Sequence, residues 1–348
     1  MKARILAVAR ALFFVIVALV LCGIVFEFAG FSSAEMFQSI AEGAFLSHNA
    51  PMHTLRWTLP LFLSAIGVLV SFRCGYFNIG TQGQFYLGAI GAAFVADYLS
   101  GAPALILVLL AIVAGMAAGA LWAAWPGLLR IGSGTDEIVT TLLGNFIASL
   151  LLIWVTSGPL KDPSGSGQLS ASRPVSAAYR ISDANGVSPT ILAIVIGAGI
   201  VTWVLMNRTA FGVIGSLAGR NPTMITWQGA RMSHVGLAAF LFSGAMAGLA
   251  GSMELLGPGG RLVSGFSPTH GFTAVVIALV AGLSVTGVGV VALFFGGLAA
   301  ASLFLPVVAG LPAAAIDIIN AAIALFITAH TWPKVGRLWR RPGSAGKP

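Results

Sequence analysis

Apolar runs of about 20 residues follow one another along the chain, and this is the length that an α-helix needs to cross a bilayer. Short polar stretches separate the runs. Glycine recurs within them, as is typical of helices that pack closely in lipid. The pattern predicts an all-α integral membrane protein with about ten transmembrane helices. The predicted spans are 11–31, 55–72, 75–96, 104–128, 138–157, 189–206, 234–256, 271–285, 288–308 and 312–331.

Composition agrees with this fold class and excludes others. Of 348 residues, 57% are hydrophobic and 8% are charged, whereas soluble domains carry about 25% charged residues. The net charge of +8 comes from residues scattered over loops and the C-terminus. Because no basic face results, we expect the lipid bilayer, and not nucleic acid, as the partner. Two cysteines and five dispersed histidines offer no disulfide framework or metal-ligand spacing, so no cofactor is expected.

The distribution of basic residues predicts the orientation. Ten spans return both termini to one side. If that side is the cytoplasm, 13 of the 18 Lys and Arg residues lie inside and five outside, as the positive-inside rule expects. The first span is too long for a typical signal-peptide core, so we expect it to remain uncleaved as a transmembrane helix. We therefore predict one transmembrane domain over 1–348, with a cytoplasmic loop at 207–233, a periplasmic loop at 158–188 and a cytoplasmic tail at 332–348.

A polar, basic interruption lies between the sixth and seventh predicted spans, at 206–235. Asn221 is placed to cap a helix, because its side-chain oxygen can accept a hydrogen bond from a free amide. Pro222 suits the first helical position, where no N–H is needed, and Gly229 suits the helix end. The pattern predicts a short helix over 222–227, a shape that another protein can grip.

Polar residues also occupy the start of the third predicted span. Asn78, Thr81, Gln82 and Gln84 lie within 75–84, where an apolar helix should begin. Non-helical backbone at membrane depth survives only where protein or a cavity covers it, and polar side chains there often mark a solute pathway. The alternative is an ordinary inside loop that caps the third span.

The fifth predicted span begins with a second polar group. Thr135 or Asp136 can cap its helix, and acids suit the positive helix end. Glu137 is therefore either a helix-start acid or a pathway residue. Thr141 and Asn145 lie further along the span. Asn145 either lines the pathway or makes an interhelical hydrogen bond.

Four motifs resemble, in their order along the chain, the ABC importer permeases for simple sugars, nucleosides and branched-chain amino acids. The run Phe77-Asn78-Ile79-Gly80-x-x-Gly83-Gln84 is similar to Phe-Asn-Ile-Gly-x-Glu-Gly-Gln of the nucleoside type, with Gln82 in place of glutamate. The segment 136–145 is similar to the family's Asn-Glu-Val-Ile-x-Thr…Asn stretch. Gly-x-Asn-Pro at 219–222 with its short helix and glycine resembles the cytoplasmic coupling loop, and 243–251 resembles the segment after it. The family's Glu-Ala-Ala after Asn-Pro is replaced by Thr-Met-Ile.

The resemblance, which extends over about 60–330, implies the permease subunit of an importer in a bacterial inner membrane. Its solute would be a nucleoside or a simple sugar. Implied partners are nucleotide-binding ATPase subunits, a second permease chain, identical or related, and a substrate-binding protein outside. The implied coupling residues are Gly219, Arg220, Asn221, Pro222, Gly229 and Arg231. The candidate pathway residues are Asn78, Thr81, Gln82, Gln84, Glu137, Thr141 and Asn145.

The arginines of the coupling loop have two interpretations: they pair with acids on the ATPase, or they only hold the loop in the cytoplasm. The chain contains no Gly-x-x-x-x-Gly-Lys-Ser/Thr loop, so ATP hydrolysis is expected in a separate subunit. No nucleophile–base pair or metal cluster indicates an enzyme. The rival function is a secondary transporter driven by an ion gradient. Few acids lie in the spans to couple ions, namely Glu27, Glu254 and Asp317.

Overall fold

The structure, a computed structural model, describes residues 2–164, 170–182, 186–227, 229, 231–267, 269–312 and 314–329. Within these ranges the regular structure is helical apart from isolated β-bridges, which confirms the all-α fold class. The α-helices are α1 (Lys2–Phe28), α2 (Ser33–Ala41), α3 (Ala50–Arg73), α4 (Thr81–Tyr98), α5 (Ala104–Ser133), α6 (Glu137–Ser157), α7 (Pro189–Arg208), α8 (Ala210–Ala218), α9 (Pro222–Trp227), α10 (Met232–Glu254), α11 (His270–Val280), α12 (Val285–Ala301), α13 (Leu305–Val308) and α14 (Ala315–Ala329).

Five of the described helices are long and apolar enough to cross a membrane: α3, α5, α6, α7, and α10 continued to Gly259 by a π-helical turn. Three shorter apolar helices are Phe13–Phe28, His270–Val280 and Val285–Ala301. Each predicted span has a helical counterpart. The chain is therefore a multi-pass membrane protein, while the count of ten crossings stays a prediction.

Helix limits differ from those of several predicted spans, and two of the spans contain a non-helical break. The third does not begin as a helix at 75, because residues 76–79 are non-helical and α4 begins at Thr81. The ninth is divided, since α12 ends at Ala301 and α13 begins at Leu305. Pro306 has no N–H to donate to the Ser302 carbonyl, and its ring would clash with that carbonyl, so an unbroken helix through this point is unfavourable.

The chain forms two compact units, one of residues 1–47 with 298–348 and one of residues 48–297. In the first unit α1 packs against α14, and α13 packs against α2. The second unit contains α3 to α11, and its central contacts join α4, α5 and α10. It also contains all the candidate site residues.

Glycines bring α4, α5 and α10 into backbone contact. A Cβ atom built on Gly248 of α10 would lie 2.2 Å from the Gly115 carbonyl oxygen of α5. One built on Gly119 would lie 2.3 Å from the Gly244 oxygen, and one on Gly88 of α4 would lie 2.3 Å from the Gly248 Cα. The glycines of the fourth and seventh predicted spans thus serve close helix approach, as the sequence predicts.

Candidate functional site

The non-helical segment 76–79 before α4 is held by side-chain amides. Asn78 Nδ2 donates to Gln84 Oε1 at 3.0 Å, and Gln84 Nε2 donates back to Asn78 Oδ1 at 3.0 Å. Asn78 Nδ2 also donates to Ser243 Oγ of α10 at 3.0 Å. Asn78 Oδ1 accepts from the Gly80 N–H as well. The segment is therefore fixed to the middle of α10 through side chains buried in the bundle.

Side chains of α6 form hydrogen bonds with backbone groups of the segment before α4 and of the first turn of α4. Asn145 Oδ1 accepts from the Gly83 N–H at 2.8 Å, and Asn145 Nδ2 donates to the Ile79 carbonyl at 3.0 Å. Thr141 Oγ1 accepts from the Ile79 N–H at 3.2 Å. Buried backbone groups need hydrogen-bond partners. Thr141 and Asn145 supply them, and this permits a non-helical segment within the bundle.

Gln82 connects α4 to the start of α11. Its Nε2 donates to the Ser267 carbonyl at 2.9 Å, and its Oε1 accepts from the Gly271 N–H at 2.6 Å. A Cβ atom on Gly271 would lie 2.2 Å from the Gln82 backbone nitrogen, so only glycine permits this approach. An ionised glutamate, the residue of the resembling family, could accept from Gly271 but could not donate to Ser267.

We call Asn78, Gln82, Gln84, Thr141 and Asn145 the amide network. All five are buried: Asn78 and Gln84 bond to each other, and Gln82, Thr141 and Asn145 bond to backbone groups. The structure thus brings together five of the seven predicted pathway residues. Sequence reasoning did not predict Ser243, Ser267 and Gly271 as their partners, because hydrogen bonds between distant segments leave no spacing to detect.

The two other predicted pathway residues have separate environments. Thr81 is buried at the start of α4, and its hydroxyl has no hydrogen-bond partner among the described residues. Glu137 pairs with Arg130 at 3.0 Å, beside the first turn of α6. Asp136 caps that helix by accepting from the Ile138 and Val139 amides. The prediction of a capping residue at 135 or 136 is confirmed, with Asp136 in that role.

We expect Asn145→Leu to lower the free energy of unfolding by about 2–4 kcal/mol, because two buried backbone groups lose their partner. The thermal unfolding midpoint of the purified protein in detergent measures this change. Ser149→Ala is the control, since among the described residues the Ser149 hydroxyl donates to the Phe146 carbonyl of its own helix and to no other helix. Equal midpoints for the two variants would show that the contacts of Asn145 contribute no stability.

The polar interruption contains the predicted helix and one that the sequence analysis missed. Helix α9 begins at Pro222, as predicted, and Asn221 Oδ1 accepts from the Met224 N–H at 3.2 Å. Gly229 has a φ of +77°, as expected of a residue that ends a helix. The missed helix, α8, carries Phe211, Ile214 and Leu217 at helical spacing, and these side chains pack against a buried cluster that contains Ile225 of α9. That spacing was the available signal.

Helix α9 has a buried side and an exposed side. Ile225 is fully buried in a cluster with Cys74, Tyr76 and Phe240. On the other side, Trp227 is 85% exposed and Met224 is 44% exposed. A six-residue helix anchored by one apolar side chain thus presents two others outward. These two side chains are available for contact with a partner protein.

The turn after α3 joins α9 to the amide network. A Cβ atom on Gly75 would lie 2.8 Å from the Gly219 Cα, so the two backbones touch immediately before α9. Tyr76 Oη donates to the Met232 carbonyl at the start of α10, at 2.9 Å. Asn78 follows two residues later. Residues 74–78 therefore contact the loop around α9 at one end and the amide network at the other.

The surface around α9 is basic. Arg220 and Arg231 are exposed, and in the part of the chain that the structure describes neither forms an ion pair. A groove beside α9 is lined by residues of α5, the 74–76 turn and the start of α10, including Arg130 and Pro222. A partner that complements this surface would place acidic residues opposite the arginines and an apolar depression opposite Met224 and Trp227.

Comparison with known proteins identifies the family. The sequence model for the permease component of branched-chain amino acid transport systems matches residues 51–328. The chain belongs to this family. The matched range contains α9 and the whole amide network, so this permease carries both features within the part that defines the family.

Three relatives are permease subunits of ABC transporters. The permease is 33% identical to the glucose ABC transporter permease protein of Haloferax volcanii over 287 residues, covering 77% of this chain and 73% of the relative. It is 31% identical to the guanosine ABC transporter permease protein of Bacillus subtilis over 303 residues, or 86% of each chain. It is 28% identical to the nucleoside ABC transporter permease protein of Lactococcus lactis over 286 residues, covering 79% and 78%. These relatives favour an ABC transporter permease over a gradient-driven carrier.

Proposed function

We propose that this permease forms the solute pathway of an ATP-binding-cassette importer for a nucleoside or simple sugar. Energy would come from a separate nucleotide-binding subunit through the loop 207–233. The observation that carries the proposal is α9: Ile225 holds it to the bundle, while Met224 and Trp227 face outward. The names of the relatives, which include guanosine, nucleoside and glucose permeases, support the solute class.

The contacts suggest how movement at α9 would reach the pathway. An ATPase that closes on α9 would displace it together with Gly219, because only Arg220 and Asn221 separate Gly219 from the helix. The backbone of Gly219 touches that of Gly75, so the 74–78 turn would move with it. This movement would displace Asn78 and distort its hydrogen bonds to Gln84 and Ser243. In this proposal the amide network is the element that responds to the ATPase by rearranging its hydrogen bonds.

The assembly follows from the same proposal. Two permease chains, identical or related, would enclose the pathway, with a substrate-binding protein on the outer face. The chain would lie in a bacterial inner membrane as one transmembrane domain over 1–348 with both termini in the cytoplasm. The loop 158–188 would face the periplasm. The predicted tail 332–348 lies outside the described residues.

A pull-down of the tagged chain from native membranes in mild detergent tests the proposal. We expect a soluble subunit with a P-loop to co-purify, and to be lost when Asn221 and Gly229 are both replaced. Asn221→Ala removes the cap on the Met224 amide, and Gly229→Val strains a left-handed backbone. If no ATPase co-purifies and uptake collapses with the ion gradient, the chain is a secondary carrier.

The substitution Asp317→Asn further distinguishes an ATP-driven importer from a carrier driven by an ion gradient. Asp317 is exposed in the first turn of α14, where its charge contributes about 0.3–1 kcal/mol through the helix dipole. We expect ATP-driven uptake by the variant to stay within about twofold of the unsubstituted transporter. Uptake should also resist a protonophore. A gradient-driven carrier predicts instead that this substitution abolishes transport.

A further inference from the structure

The predicted outer loop 158–188 forms hydrogen bonds with the segment that follows α10. The Ser172 N–H donates to the Leu262 carbonyl at 2.9 Å, and the Ser264 N–H donates to the Ser170 carbonyl at 3.0 Å. Ser172 is buried, and its Oγ accepts from the Leu262 N–H at 2.9 Å. These bonds hold this part of the loop against the bundle. We define the latch as the two paired segments, residues 170–175 and 260–264.

The latch is connected to the amide network through Gln82. Only two residues separate the latch from Ser267, whose carbonyl accepts from Gln82 Nε2 at 2.9 Å. Gln82 Oε1 accepts from the Gly271 N–H at 2.6 Å. Gln82 thus holds both the segment after the latch and the start of α11. A movement of the latch would therefore reach α4, on which Gln82 and Gln84 lie.

Two residues between the latch and α11 have left-handed backbone. Gly265 has a φ of +83° and Ser267 a φ of +44°. Glycine adopts this conformation readily, whereas serine keeps it only where neighbouring groups hold it. The hydrogen bond from Gln82 to the Ser267 carbonyl is such a restraint. Displacement of the latch would stretch this bond, and its loss would let Ser267 relax. Opening of the latch and release of Gln82 are therefore coupled.

A cleft beside the latch leaves room for movement. It has a volume of about 230 Å³ and lies between the end of α4 and residues 172–176. Arg173 and Asp97 form an ion pair beside it at 3.0 Å. Because the Arg173 side chain is 57% exposed, this pair is expected to hold the loop only weakly. The cleft thus gives the loop space into which it can be displaced.

We infer that the latch is a conformational switch of the transport cycle: closed, it restrains Gln82 through Ser267, and it has to open for the solute to pass. The inference rests on the proposed function and adds an element of regulation to it. The amide network then receives two inputs, Asn78 from the side of α9 and Gln82 from the latch. Its rearrangement requires movement at both, so a closed latch blocks transport even when the ATPase is bound.

A disulfide across the latch tests whether the latch has to open. Ala171 and Val263 form an antiparallel β-bridge, and the two backbone bonds that flank them identify a non-hydrogen-bonded pair. The Cα atoms of such a pair lie about 4.5 Å apart, which is within the range that a disulfide needs. The double variant Ala171→Cys and Val263→Cys should therefore form this bond on oxidation. The native cysteines, Cys22 and Cys74, are buried.

We expect oxidation of the double variant to lower ATP-driven uptake by about tenfold or more, and a reductant to restore it. The assay uses vesicles that hold the complete transporter and labelled guanosine or glucose, whichever the unsubstituted transporter accumulates. The single variants Ala171→Cys and Val263→Cys, treated with the same oxidant, are the controls. Recovery with the reductant shows that the protein stayed folded.

A weakened latch gives a second test that needs no solute. Ser172→Ala removes the side-chain bond to the Leu262 N–H. It should raise basal ATP hydrolysis by the purified complex about fivefold, since the loss of one buried hydrogen bond shifts a two-state equilibrium by about that factor. Ser176→Ala is the control, because Ser176 is exposed and follows the latch.

The outcomes separate this inference from the function on which it rests. Full uptake by the oxidised double variant, with the disulfide verified by mass spectrometry, would overturn the inference and leave the function standing. Failure of the disulfide to form would do the same, because the two segments would then not pair, as would equal hydrolysis rates for Ser172→Ala and Ser176→Ala. Uptake that does not depend on ATP would overturn the function, and the effect of the reductant on that uptake would still decide whether the latch has to open.

Discussion

Replacing Gly248 with leucine is expected to abolish accumulation of the folded permease. A Cβ atom at this position would lie 2.2 Å from the Gly115 carbonyl oxygen and 3.2 Å from the Gly119 Cα. Both are backbone atoms that cannot rotate away, so α5 and α10 would have to separate. Overpacking usually costs about 1–3 kcal/mol and occasionally more. Here the central helices of the unit lose their contact, and we expect a loss above about 4 kcal/mol.

Fluorescence-detected size-exclusion chromatography of a fusion protein measures this effect. The unsubstituted permease should give one symmetrical peak, and Gly248→Leu should give aggregate or no signal. Gly197→Leu is the matched control, because a Cβ atom on Gly197 of α7 meets nothing within 4 Å. Gly248→Ala should fall between the two, since it adds a single methyl group. If Gly248→Leu behaves like Gly197→Leu, the backbone contact between α5 and α10 does not exist.

The double substitution Met224→Ala and Trp227→Ala is expected to reduce ATP-driven uptake by about tenfold or more, because it removes the exposed apolar side of α9 from the proposed contact with the ATPase. These side chains are 44% and 85% exposed, so stability should not change measurably. Uptake in vesicles and capture of the ATPase measure the functional loss. The unfolding midpoint measures stability.

Two comparison variants complete this test. Val213→Ala removes a 57% exposed apolar side chain from the neighbouring α8 and should transport normally. Ile225→Ala empties a fully buried position in the cluster that anchors α9, and it should lower stability by about 2–5 kcal/mol. If the double variant keeps full uptake and still captures the ATPase, α9 is not the coupling element.

Features that depend on near neighbours in the chain could be predicted. Asn221 and Asp136 cap helices by bonding amides two or three residues ahead, and such bonds follow from sequence spacing. Gly229 follows α9 in a left-handed conformation for the same local reason. The runs of apolar residues predicted helices because a chain in lipid must satisfy its backbone within itself.

The break before α4 was predicted only in part. The polar residues of 75–84 indicated irregular backbone, but not where the helix begins. That point depends on Asn145, which lies 62 residues after its partner Gly83. Gln82 likewise bonds Gly271, 189 residues away. The candidate residues were therefore found from their polarity and the family resemblance, while their partners were not.

The sequence by itself determined that this is a helical membrane protein with a short capped helix in a basic loop, because composition and local hydrogen bonds suffice for both. Tertiary structure alone decided which polar groups are already satisfied and which are free. The amides of Asn78 and Gln84 bond to each other, whereas His270 Nε2 has no partner among the described residues. That difference arises from the packing of α3, α4, α10 and α11, because hydrogen bonds between helices depend on distances that no local pattern encodes.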